Sequence, residues 1–105
     1  MMAGIKTDSL NQLMRFLDAV SKDPRIGASH VSVYMSLFQC WLGNDCRDPI
    51  LVNRRGIMAN AKISGVATYH KCIRDLHAYG YIRYVPSYHP LCQSKVYMAL
   101  DSFDS

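Results

Sequence analysis

The 105-residue sequence has no apolar run near the roughly 20 residues that a membrane-spanning helix needs. Its first residues, Met1-Met-Ala-Gly-Ile-Lys-Thr-Asp8, lack the uninterrupted apolar core of a secretory signal. A cytoplasmic protein with no membrane partner is the expectation. No C-x-x-C pair occurs among Cys40, Cys46, Cys72 and Cys92, and His30, His70, His77 and His89 stand at no ligand spacing. The nearest approach to a metal motif, His89-x-x-Cys92, is alone in a proline-bracketed loop. No metal or other cofactor is therefore expected, and free thiols are the default in a cytosolic chain. Cys46 and Cys92, both in loops, are the ones expected to be exposed. Internal repeats and low-complexity stretches are missing too.

Acid is scarce in one half of the chain. From Asn53 to Leu100 there are seven bases (Arg54, Arg55, Lys62, Lys71, Arg74, Arg83, Lys95) and one acid, Asp75, a balance of +6. The other five bases and seven acids leave −2. A lone carboxylate excludes the paired acids of hydrolytic chemistry. The Ser/His and Cys/His pairs are scattered without a motif, so an enzyme is not expected. A basic half joined to a slightly acidic one suits a polyanion partner, or else is a solvated basic surface.

With half its residues apolar and 19% charged, the chain reads as one globular domain. Residues 1–27 form a lead-in and an amphipathic helix, capped by Asp8 or Ser9 and running to about Lys22. Leu10, Leu13, Met14, Leu17 and Val20 form its apolar stripe, with Gln12, Arg15 and Asp18 outside. That stripe either packs on the domain or pairs with its copy in a second subunit. Residues 28–100 form the main unit, and 101–105 a tail with no readable signal. Ser29 is the expected cap of a second helix to about Gly43, with Tyr34, Leu37, Phe38, Trp41 and Leu42 as core. Ile50-Leu-Val52 reads as a small strand. Asn53 caps a short helix to about Lys62, with Ile57, Met58 and Ala61 inward. Arg54 and Arg55 in its first turn oppose the helix dipole, and a nearby phosphate would hold them there; two solvated arginines are the plainer reading.

The next helix, over 64–79, has Ser64 as its expected cap and Gly80 as a left-handed stop. Val66, Tyr69, Ile73 and Leu76 make its apolar stripe, with Cys72 beside it. Ala67, His70, Lys71, Arg74 and Ala78 occupy the opposite face. Strands over 81–85 and 95–100, joined by a loop, complete a hairpin. The fold class is mainly α with a small β-hairpin (α+β): a three-helix core, an extra N-terminal helix and a two- to three-stranded wing.

This element order, with the run Tyr69-x-x-Cys-Ile-x-x-Leu-x-x-Tyr-Gly-Tyr-Ile82, resembles the winged helix-turn-helix domain of bacterial transcription regulators of the GntR and MarR types. There the recognition helix stops at a glycine and enters the wing. The chain departs from that pattern at Lys62-Ile-Ser-Gly65, where the glycine comes late. The resemblance implies a recognition helix in the major groove of double-stranded DNA. Amides near Gly65 and Val66 would hold a phosphate. Thr68, His70 and Lys71 would meet base edges, and Ala67 a thymine methyl. Arg74, Arg54 and Arg55 would contact backbone phosphate. The wing residues Ser87, Tyr88, His89, Gln93, Ser94 and Lys95 would touch the sugar-phosphate edge or the minor groove. The implied function is sequence-specific DNA binding by a small transcription regulator acting as a homodimer; no small-molecule effector is evident in the sequence. A replication or mobilisation accessory protein of a mobile element, and a winged-helix protein-interaction adaptor, are the alternatives.

Overall fold

The computed structural model describes residues 7–89 and 93–99. The expectations placed on the lead-in, the tail and Cys92 lie outside these residues. The order is α1 (Thr7–Ser21), α2 (Ala28–Gly43), β1 (Ile50–Val52), α3 (Arg54–Ala61), α4 (Val66–Ala78), β2 (Arg83–Val85) and β3 (Ser94–Tyr97). The described residues thus form an α+β unit of four helices and one three-stranded antiparallel sheet.

The sheet order is β1-β3-β2, so the last strand lies in the middle. Leu51 and Val85 both pair with Lys95 from opposite sides, and Arg83 pairs with Tyr97. Side chains alternate across the pleat. Ile50, Val52 and Val96 therefore face the core, while Leu51, Lys95 and Val85 face out. α2 packs on α3 and α4, and α4 on β2. Tyr34, Leu37, Ile73, Leu76, Ile82, Val96 and Met98 are fully buried between these layers.

Several helix boundaries follow local chemistry. The Asn53 side chain accepts the Gly56 amide at 3.0 Å, the N-cap bond that opens α3. α3 ends where Lys62 turns left-handed at φ 61°, and Ile63 donates back to the Met58 carbonyl at 2.9 Å. Gly80, at φ 85°, closes the exit from α4. Tyr81 and Ile82 then donate their amides to the Leu76 carbonyl at 2.9 and 3.3 Å. That use of the amides is why β2 begins at Arg83 and not at Tyr81. β3 stops at Tyr97 for a similar reason: the Met98 and Ala99 amides donate to the Asp48 carboxylate at 2.8 and 2.9 Å.

The structure corrects three caps and two faces: Asp8 and Ser9 lie within α1, which begins at Thr7, and so do not cap it. Ser29 does not cap α2. Its N-cap is Gly27, whose amide donates to His30 Nδ1 at 3.0 Å. Ser64 does not cap α4 either; the N-cap is Gly65, which brings no side-chain acceptor. In the same helix Val66 is 44% exposed in the first turn, while Cys72 takes a fully buried place beside Tyr69, Ile73 and Leu76.

α1 is turned away from the expected face. Leu10, Met14 and Leu17 are 51%, 61% and 39% exposed, whereas Ser9, Gln12 and Phe16 are buried. Phe16 decides the rotation. Its ring stacks on Tyr34 at a centroid distance of 3.5 Å and meets Tyr81 edge-on at 5.4 Å. An aromatic side chain buries more area than a leucine, so its face wins. The polar residues carried inward find partners: Gln12 donates to the Met98 carbonyl at 2.9 Å, and Ser9 Oγ lies 3.0 Å from Cys46 Sγ. Cys46 is consequently half-buried rather than exposed.

Candidate nucleic-acid interface

α4 presents its outer face because the opposite one is consumed by the core. Tyr69, Cys72, Ile73 and Leu76 point inward, which leaves Ala67, Thr68, Lys71, Arg74 and Ala78 exposed. His70 is half-buried, with its ring 5.4 Å from the Tyr69 ring in an edge arrangement. At 13 residues and 1.5 Å per residue the helix is about 20 Å long, enough to lie along a major groove. Gly65, exposed at its N-cap, lies close to Thr68: a Cβ there would stand 3.4 Å from Thr68 Oγ1.

The two bases of this face differ in their surroundings. Arg74 has no ion pair among the described residues. Lys71 donates from Nζ to Asp75 Oδ2 at 2.7 Å, one helical turn on. The same oxygen lies 2.8 Å from His30 Nε2. The Lys71 ammonium, then the His30 ring, hold the Asp75 carboxyl below its ordinary range, and the carboxylate raises Lys71 in return. The i, i+4 spacing of Lys71 and Asp75 is legible in the sequence. The joining of Asp75 to His30, on another helix, is not.

A second group gathers around the start of α3. Arg54 and Arg55 are exposed there and form no ion pair among the described residues. They line an open cleft of about 480 Å3 together with Val52, Asn53, the hairpin-loop residues Ser87, His89 and Gln93, and Ser94 at the start of β3. Arg54, Arg55 and His89, far apart in the chain, thus share one surface. The β1–β3 pairing is what brings them together.

Lys95 is not part of either group. It sits on the outer face of the sheet between Leu51 and Val85, and borders an adjoining cleft of about 280 Å3 with Val85, Pro86, Ser87 and Gln93, the last two shared with the first cleft. Tyr88, at 91% exposure, reaches into solvent from the loop. Arg83, not singled out in the sequence, lies 4.7 Å over the Tyr97 ring on the same outer face as Lys95. The cross-strand pairing that joins Arg83 and Tyr97 depends on hairpin register, which the sequence leaves open.

No protein-family model, curated protein or solved structure matches the chain.

Proposed function

We propose that the chain is a winged-helix protein that binds double-stranded DNA, with α4 in the major groove and the β2–β3 hairpin as its wing. The observation that carries this reading is the outer face of α4. It combines two bases, Lys71 and Arg74, with small neighbours, Ala67, Thr68 and Ala78, that leave room for a groove wall. The architecture supports it. A three-residue strand enters before α3, pairs with the far strand of the hairpin, and α3 and α4 are joined by the short turn Lys62–Gly65. Thr68, His70 and Lys71 are the base-reading candidates, and Arg74 is a phosphate contact. Arg54 and Arg55 face the wing loop across their cleft and suit backbone phosphate on the flank.

The function of such a module is regulation of transcription in the cytoplasm, as a homodimer that reads paired half-sites. The exposed stripe Leu10–Met14–Leu17 on α1 is the surface available to a second copy. The test is fluorescence anisotropy with a pool of random duplexes, titrated across salt, for the native protein and Lys71→Ala/Arg74→Ala. The expected result is a logarithm of affinity that falls linearly with log salt. In the double variant the slope should shrink by about 0.9 for each phosphate no longer neutralised. Absence of binding at low salt would exclude DNA and turn the search to an acidic protein partner.

A further inference from the structure

We propose that Asp75 is a positioning and specificity-determining residue of the α4 face: it holds the Lys71 ammonium in the free protein and releases it only to a base edge docked in register. This inference rests on the reading of α4 as a DNA-contacting helix.

The argument begins with the tautomer of His30. Its Nδ1 accepts the Gly27 amide at 3.0 Å, so the ring proton of the neutral imidazole is on Nε2. Nε2 lies 2.8 Å from Asp75 Oδ2 and therefore donates to it. His30 is only 8% exposed and sits in the first turn of α2. The Asp75 carboxylate is thus anchored from beneath by a second helix. Lys71 approaches the same oxygen from the solvent side, with 66% of its side chain exposed against 19% for Asp75. Of the two charges, the carboxylate is fixed and the ammonium can leave.

Two effects of opposite sign follow. Sequence-blind binding is almost wholly electrostatic, through counterion release by bases on phosphate. A lysine already paired with a carboxylate contributes little to it, because releasing the ammonium exposes an unneutralised acid beneath the same face. Sequence-specific binding gains instead, because a pinned ammonium is aimed at one point and loses less freedom on docking. Asp75 therefore lowers the first affinity and raises the second. This is discrimination built by an unfavourable element as well as a favourable one.

Asp75→Asn separates this role from a merely structural one. The asparagine carbonyl still accepts from His30 Nε2, so the tie to α2 survives while the charge on Lys71 is freed. Binding to random duplex is expected to tighten by up to about fivefold, the size of an exposed ion pair. Its salt slope should steepen by about 0.9. Affinity for a duplex selected by the native protein should fall, so the ratio of the two affinities narrows. In a Lys71→Gln background the same Asp75→Asn change should no longer steepen the salt slope, since the added phosphate contact is the lysine's. Equal changes in both affinities, or a steepening of the salt slope that persists without Lys71, would overturn the proposal while leaving DNA binding intact. Failure of every variant and of the native protein to bind duplex would remove the DNA reading and this inference together. Should Asp75→Asn not fold, the native protein still answers through NMR of its lysine ammonium groups. The Lys71 signal should be hydrogen-bonded and protected in the free protein and shift on adding duplex. A Lys71 ammonium exchanging as fast as that of the exposed Lys62 would sink the clamp.

Discussion

Tyr81 donates its hydroxyl proton to the Asp23 carboxylate at 2.6 Å, tying the exit of α4 to the loop between α1 and α2. Arg25 holds the same carboxylate through Nε and Nη2, both at 2.8 Å, and its guanidinium lies 3.8 Å over the Tyr79 ring. The loop after α1 thus fixes where the presented helix ends. The Arg25 guanidinium, then the Tyr81 hydroxyl, hold Asp23 far below the usual carboxylate range. Burial, reinforced by the carboxylate, pushes Tyr81 up to about 12.

This cluster makes stability depend on pH at both ends. A depressed carboxylate contributes stability that is present above its unfolded value of 3.8 and is lost as pH falls below it. A raised tyrosine contributes below its unfolded value of 10.0, and that contribution is lost as pH rises towards about 12. Native protein and Asp23→Asn should therefore differ in melting temperature by a constant amount near neutrality. The gap should begin to narrow below about pH 3.8 and keep narrowing as the pH falls further. Melts followed by circular dichroism across pH check this, and a gap independent of pH would show that Asp23 acts through packing alone.

Phe16 and Met14 stand two residues apart on α1 and should behave in opposite ways. Phe16→Ala opens a cavity against Tyr34 and Tyr81, with an expected cost of about 3–5 kcal/mol. Met14→Ala, at 61% exposure, should stay within about 0.5 kcal/mol. Urea denaturation of the two variants measures both.

The same exposed stripe yields an association prediction. If two copies meet through Leu10, Met14 and Leu17, Met14→Asp should shift sedimentation from dimer to monomer without lowering the unfolding midpoint of the isolated domain. A monomeric native protein at working concentration would assign the stripe to another partner.

Asn53→Ala should cost about 1 kcal/mol by removing the side-chain acceptor of the Gly56 amide. Because α3 begins with Arg54 and Arg55, fraying of this turn should also weaken duplex binding. Asn53→Asp or Asn53→Ser, which keep the acceptor, should restore stability.

The parts of the fold that local chemistry decides were legible in the sequence. Asn53 as a cap, Gly80 as a stop, and the inward set Tyr69, Ile73 and Leu76 all depend on neighbours within a turn or two. The face of α1 was not, because its apolar residues fit two rotations and Tyr34 chooses between them. Nor could Gln12 be read as buried, since its acceptor is the carbonyl of Met98. At the N-terminus of α2, His30 reaches back from inside the helix and replaces the serine that composition suggests. For the candidate site, the outer face of α4 follows from the core stripe by elimination. The cleft joining Arg54 and Arg55 to His89, and the outward placement of Lys95, follow from pairing between distant strands.

The central place of β3 has a consequence for how the chain is born. During synthesis β1 leaves the ribosome long before Ser94–Tyr97, so Ile50 and Val52 wait without the strand that covers them. Until then β1 is unpaired on both sides, a state that invites pairing with a neighbouring chain. The β2–β3 hairpin closes locally, but the β1–β3 pairing spans much of the sequence and forms at the slow end of folding. The nascent chain is therefore most prone to aggregate just before β3 emerges, and a chaperone that masks β1 would act in that interval.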